Sequence, residues 1–118
     1  MATGAETGRR LAMVLFVLAV CVTLVLSLLP PSQLPAGSVN DKLAHAVTHA
    51  ALAMLWLFGR RRPQLLPAFV GLGLLGLLVE GLQSLTGYRH AEVLDVVANL
   101  AGTASGCLLW YLAIGHRN

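Results

Sequence analysis

The side chains able to do chemistry in this chain are few and clustered. Asp41, Lys42, His45 and His49 stand on the first turns of a segment that then runs apolar to Phe58. Glu80 and Gln83 close a second apolar segment, Arg89 lies in the connection after it, and Asp95 and Asn99 open a third. A carboxylate, an ammonium and two imidazoles on one helix can pair ions, pass protons or ligate a metal. At about 100° per residue, Asp41, His45 and His49 span about 80° of helix surface, and Glu80 and Gln83 lie about 60° apart. Asp95, Asn99, Gly102 and Gly106 fall within about 60° as well. Each helix therefore carries one polar stripe.

Several chemistries compete for these residues. His45 and His49 at i and i+4 can reach one ion, with Glu80 or Asp95 completing a site, but the glutamate that follows the first histidine in a zinc protease helix is missing here. The favoured reading is of histidines bonded to carboxylates, with no metal and no cofactor. As an enzyme, the chain would use Glu80 and His45 as acid and base, with Asp95 a further candidate and Arg89 stabilising a phosphate or carboxylate on a lipid-linked substrate. No nucleophile with an adjacent base stands out, so enzymatic activity is left open. As structure, Glu80 with Arg89 or His45, and Asp95 with Lys42 or Arg89, would be neutralised pairs that set helix register. A small proton-coupled transporter is the third class, although such a site belongs at mid-membrane rather than near one face.

The elements that must position these groups belong to a bilayer. Hydrophobic residues make up 57% of the 118 positions and charged ones 11%, against about a quarter in soluble domains. Mean hydropathy is +0.76. The expected fold is all-α, a four-helix transmembrane bundle with helices over about 11–29, 41–59, 65–85 and 93–114. Residues 1–10 and 115–118 are its tails. Pro30 and Pro31 end the first span, Asn40 or Asp41 caps the second, and Pro67 is tolerated in the first turn of the third. A cleaved signal peptide is the rival for the first span, but 19 uncharged residues exceed an ordinary signal core. Connections 60–64 and 86–92 are short enough to make consecutive helices antiparallel neighbours.

Orientation follows from cations beside the helix ends. Arg9, Arg10, Arg60, Arg61, Arg62 and Arg117 fall on one side, Lys42 and Arg89 on the other. Six against two places both termini in the cytoplasm, with Trp56, Trp110 and Tyr111 as interface anchors on that side. The net charge of +3 arises from these short clusters rather than from a basic soluble face, which argues against a nucleic-acid partner. The polar stripes then gather in the outer half. Buried ionisable groups cost on the order of 2.5 to 3.5 kcal/mol each at membrane depth, so the stripes should face one another around a pocket open to the outside. Gly71, Gly73, Gly76 and Gly81 should thin the third helix, and the run from Gly102 to Gly106 should allow close packing within the bundle, with homodimerisation as the alternative use. Cys21 and Cys107 lie at different depths and carry no disulfide.

"DKLAH", "EGLQ", an arginine and "DVVANLAGTASG", in that order, resemble the VanZ-like family of small integral membrane proteins. The matched positions are Asp41, Lys42 and His45; Glu80 and Gln83; Arg89; and Asp95, Asn99, Gly102 and Gly106. The resemblance covers about residues 40–112. It departs at Ala46 and His49, where the family tends to have aromatic residues. It implies a multi-pass protein of the bacterial cytoplasmic membrane, a binding set of Asp41, Lys42, His45, Glu80, Gln83, Arg89, Asp95 and Asn99, and a role at the cell envelope. Founding members are associated with resistance to teicoplanin, so cell-wall precursor lipid or the glycopeptide itself is the implied partner besides the bilayer.

Overall fold

A computed structural model describes residues 3–29, 38–87 and 92–115, with side chains from residue 42 in the second of these segments. It contains four α-helices: α1 Gly4–Leu28, α2 Ser38–Gly59, α3 Leu65–Leu85 and α4 Val93–Ala113. Three of them, α1, α3 and α4, are long and apolar enough to cross a membrane. Twenty-one residues at 1.5 Å each give α3 and α4 a length of about 31 Å, close to the thickness of a hydrocarbon core. Their outer faces expose Leu66, Leu74, Leu78, Val97, Leu108 and Leu112, a surface compatible with lipid contact.

The helix starts differ from those expected. Helix α1 begins seven residues before the apolar run, because the Thr3 hydroxyl accepts the Glu6 N–H at 3.1 Å and caps it. Arg9 and Arg10 therefore ride on the helix rather than in a tail. Helix α2 begins at Ser38, which places Asn40 and Asp41 inside the helix, so neither caps it. Helix α3 keeps the expected bounds. It stops at Thr86, whose N–H returns to the Gln83 carbonyl, and Gly87 follows at φ 83°, a left-handed turn that suits glycine.

Helix α2 is central. It packs most extensively on α4, then on α1, and also touches α3. Leu52, Ala53 and Leu57 of α2 join Ala68 and Leu72 of α3 and Cys107 and Trp110 of α4 in one apolar core. Helix α1 is peripheral and buries only Ala12 and Ser27. The close approach of α2 and α4 depends on Gly102 and Gly106, where an added Cβ would fall onto the carbonyls of Ala46 and Ala50. The small-residue face is thus used inside the bundle.

Two expectations fail here. Gly71 and Gly81 have nothing near the place of a Cβ, so they do not thin α3 for a neighbour; Gly76 does, and Gly73 meets only Leu100. Trp110 is not an interface anchor. It is 6% exposed, lies in the core and has Gly115 packed against its ring. Trp56 fits the rim better, tilted against Phe16 at 5.3 Å between ring centres with the Arg60 guanidinium 4.6 Å from the centre of its ring. Cys21 is exposed, Cys107 is buried, and both are free thiols.

Candidate functional site: a polar junction of three helices

The start of α2, the end of α3 and the start of α4 meet at one end of the bundle, and their polar stripes turn inward. Asp95 carries two contacts through different oxygens. Lys42 Nζ donates to Oδ1 in a short charged hydrogen bond, while Oδ2 lies 3.8 Å from His45 Nε2. The other ring nitrogen of His45, Nδ1, lies 3.0 Å from Asn99 Oδ1. An amide oxygen can only accept, so this contact requires the proton on Nδ1 and fixes the ring.

Glu80 is 3% exposed. Its Oε2 accepts the backbone N–H of Glu92 at 3.2 Å, which ties the end of α3 to the start of α4. Its Oε1 is buried with no hydrogen-bond partner among the described residues. One ligand atom each from His45, Glu80 and Asp95 lies within 4.8 Å of the other two. Lys42 also bonds Glu92 at 2.5 Å and so bridges, from α2, the carboxylates of Asp95 in α4 and of the residue that precedes it. Of the pairings expected of Asp95, the one with Lys42 is present; Glu80 makes a backbone contact, and its expected pairing with Arg89 falls outside the described residues. Gln83 is buried nearby at 2% exposure. Arg89 and the Asp41 side chain lie outside the described residues.

One turn deeper, His49 is 1% exposed; its ring lies against the His45 backbone carbonyl and has no side-chain hydrogen bond among the described residues. It does not join the His45, Glu80 and Asp95 group. The pairing of His45 with His49 on one ion is therefore not what the fold builds. His49 instead meets Asn99 beside Gly76, where a Cβ would sit 3.1 Å from Asn99 Nδ2 and 3.3 Å from His49 Nε2. Asn99 Nδ2 is without a partner among the described residues. Glycine at 76 of α3 leaves room for polar atoms from α2 and α4.

Glu92 and Thr103 are contributors that sequence reasoning missed. Glu92 is the extended residue that precedes α4, three positions before Asp95, and its carboxylate shares the Lys42 ammonium with that residue. Thr103 is fully buried and returns its hydroxyl to the Asn99 carbonyl at 2.8 Å, which satisfies it without a partner from another helix.

No protein-family model, curated protein or solved structure matches the chain. Its function has to be read from this junction. Unpartnered polar atoms beside ion-paired ones are costly in a low-dielectric interior, about 1 to 3 kcal/mol per unmade bond. A cluster serving packing alone would close its bonds; this one leaves Glu80 Oε1 and Asn99 Nδ2 without a partner among the described residues.

Proposed function

We propose that the chain is a VanZ-like protein of the bacterial cytoplasmic membrane that binds or acts on a cell-envelope component through this polar junction. In this reading α2 is a fourth spanning helix, both termini are cytoplasmic and the junction opens outward. The place of α2 supports its spanning role, since α1, α3 and α4 all pack on it and shield a helix too polar to face lipid by itself. The distribution of arginines supports the orientation. The envelope component is a cell-wall precursor lipid or a teicoplanin-type glycopeptide, and binding it would change susceptibility to such antibiotics.

The single observation that carries the reading is the Oε1 of Glu80, buried without a hydrogen-bond partner among the described residues at a three-helix junction next to fixed His45 and Asp95. A membrane enzyme is the second reading, favoured by the proximity of His45 and Glu80, which would serve as base and acid on a lipid-linked substrate. Expression of the wild-type chain in a bacterial host should alter the inhibitory concentration of teicoplanin, and Glu80→Gln, Arg89→Ala and Asp95→Asn should each abolish the change at equal membrane levels. Wild-type susceptibility shifts in all three variants would overturn the proposal. Mass spectrometry of lipids and precursors co-purifying with wild type but not with Arg89→Ala identifies the ligand, and turnover of that ligand separates the enzyme from the binding protein.

A further inference from the structure

We infer that the cleft between the start of α1 and the end of α2 binds one anionic phospholipid, with its phosphodiester on Arg9 and Arg10 and the top of an acyl chain against Met13 and Val14. The inference needs only that α1 lies in a bilayer. It is separate from the polar junction and from the envelope partner.

One glycine and one helix face build the cleft. Gly59 lets α1 approach the end of α2, since an added Cβ would fall onto the Met13 side chain and sit 3.5 Å from the Arg9 carbonyl. On α1, Glu6, Arg9, Arg10 and Met13 follow the i, i+3, i+4, i+7 spacing that sets them on one face. With Val14, Gly59 and Arg61 they border an open cavity of about 440 Å³, within the range of small-ligand sites, about 300 to 1,000 Å³.

The lining changes from charged to apolar in the order a phospholipid requires. Arg9 and Arg10 stand at the outer level, and Met13 and Val14 come four residues, about 6 Å, further along the helix. Val14 then heads an exposed apolar stripe through Val17 and Leu18, so an acyl chain leaving the cavity continues along α1. At the same end the Arg60 guanidinium lies on the Trp56 ring, an arrangement suited to the headgroup layer. A soluble anion would use the arginines and leave the apolar wall unused.

Charge selects an anion. The chain has five acidic side chains, and Asp41, Glu80, Glu92 and Asp95 stand at positions on the opposite end of the bundle. Glu6 is the fifth, and Arg61 neutralises it. Arg9 and Arg10 therefore meet no second acidic side chain. Their guanidinium forks match phosphate oxygens, and basic pockets between membrane helices hold anionic headgroups in this way.

The test uses the full-length chain in uncharged detergent, given phosphatidylglycerol or phosphatidylcholine with the same acyl chains and read by native mass spectrometry. Wild type should retain one phosphatidylglycerol about 10-fold more tightly than phosphatidylcholine. Arg9→Gln and Arg10→Gln should each lower that preference about 5-fold, and the double variant should abolish it. Arg62→Gln, which removes an exposed cation of the same end outside the cavity, should leave it within about twofold. Val14→Trp keeps every charge, fills the apolar part and should weaken retention of phosphatidylglycerol about 10-fold. One readout needs no variant: phosphatidylglycerol with a photoreactive group near the top of one acyl chain should label α1 between residues 13 and 18. Equal retention of the two lipids, equal losses in Arg62→Gln and Arg9→Gln, or label spread evenly over the four helices would overturn the site. So would displacement of the lipid by free glycerol phosphate as effectively as by phosphatidylglycerol, which would mark a soluble-anion site instead.

Discussion

The two ends of this bundle both carry charge, and they use it in opposite ways. At the polar junction, Lys42 reaches from α2 to Asp95 of α4 and to Glu92 just before it, while Glu80 of α3 accepts the Glu92 backbone N–H. Asp95 and Glu80 are almost wholly buried. At the other end, Arg61 pairs with Glu6 at the surface and Arg60 lies on Trp56. There Glu6, Arg9, Arg10 and Arg61 border an open cavity of about 440 Å³ between α1 and the end of α2. Cations on a rim stay solvated and mark a side of the membrane. Ions inside a three-helix junction must be paired, or serve a ligand.

That contrast can be broken by mutation, and the effects should scale with burial. The largest belongs to the contact that holds the junction together: Gly102→Leu would drive a side chain into the Ala46 carbonyl, separate α2 from α4 and cost about 3 kcal/mol or more. Loss of monodisperse, folded protein on size-exclusion chromatography checks it. Next is Lys42→Met, which leaves Asp95 buried without its ammonium and should destabilise by about 3 kcal/mol. A thermal melt in detergent measures it, and the Lys42→Met, Asp95→Leu double variant should recover much of the loss. Arg61→Ala removes only an exposed partner of Glu6 and should cost less than about 1 kcal/mol, less still at high salt. An equal loss for Arg61→Ala and Lys42→Met would erase the difference between the ends.

Sidedness is the sharpest form of the same comparison. With Cys21→Ser and Cys107→Ala as background, Lys42→Cys should react in intact cells with a membrane-impermeant maleimide, and Arg61→Cys only after lysis. The reverse pattern would place the junction in the cytoplasm and remove the envelope role.

Much of the junction was legible from residue type and helical period. The cost of bare charge in hydrocarbon requires His45, Glu80, Asp95 and Asn99 to face inward; the last three are buried and His45 is mostly so. Gly102 and Gly106 could be assigned to close packing, because small residues at that spacing serve it. What escaped was of two kinds. Helix starts escaped because hydropathy marks the apolar span and not the first turn, although Thr3 and Glu6, three apart, carry the spacing of a capping box. Depth and partner choice escaped because period fixes a face and not what meets it. Trp110 and Trp56 have the same interfacial preference, yet α2 and α3 cover the first and leave the second at the rim. His49 shares a stripe with His45, yet one further turn carries it past the carboxylates to Asn99 and Gly76.

The central claim is that Glu80 is kept for a ligand rather than for packing. The direct measurement is the melting temperature of Glu80→Gln against wild type. Glutamine keeps an oxygen for the Glu92 N–H and removes a buried carboxylate charge whose Oε1 has no partner among the described residues, so the account predicts a melting temperature equal to or above wild type. A fall of several degrees would show that the carboxylate holds the fold together and would contradict the claim.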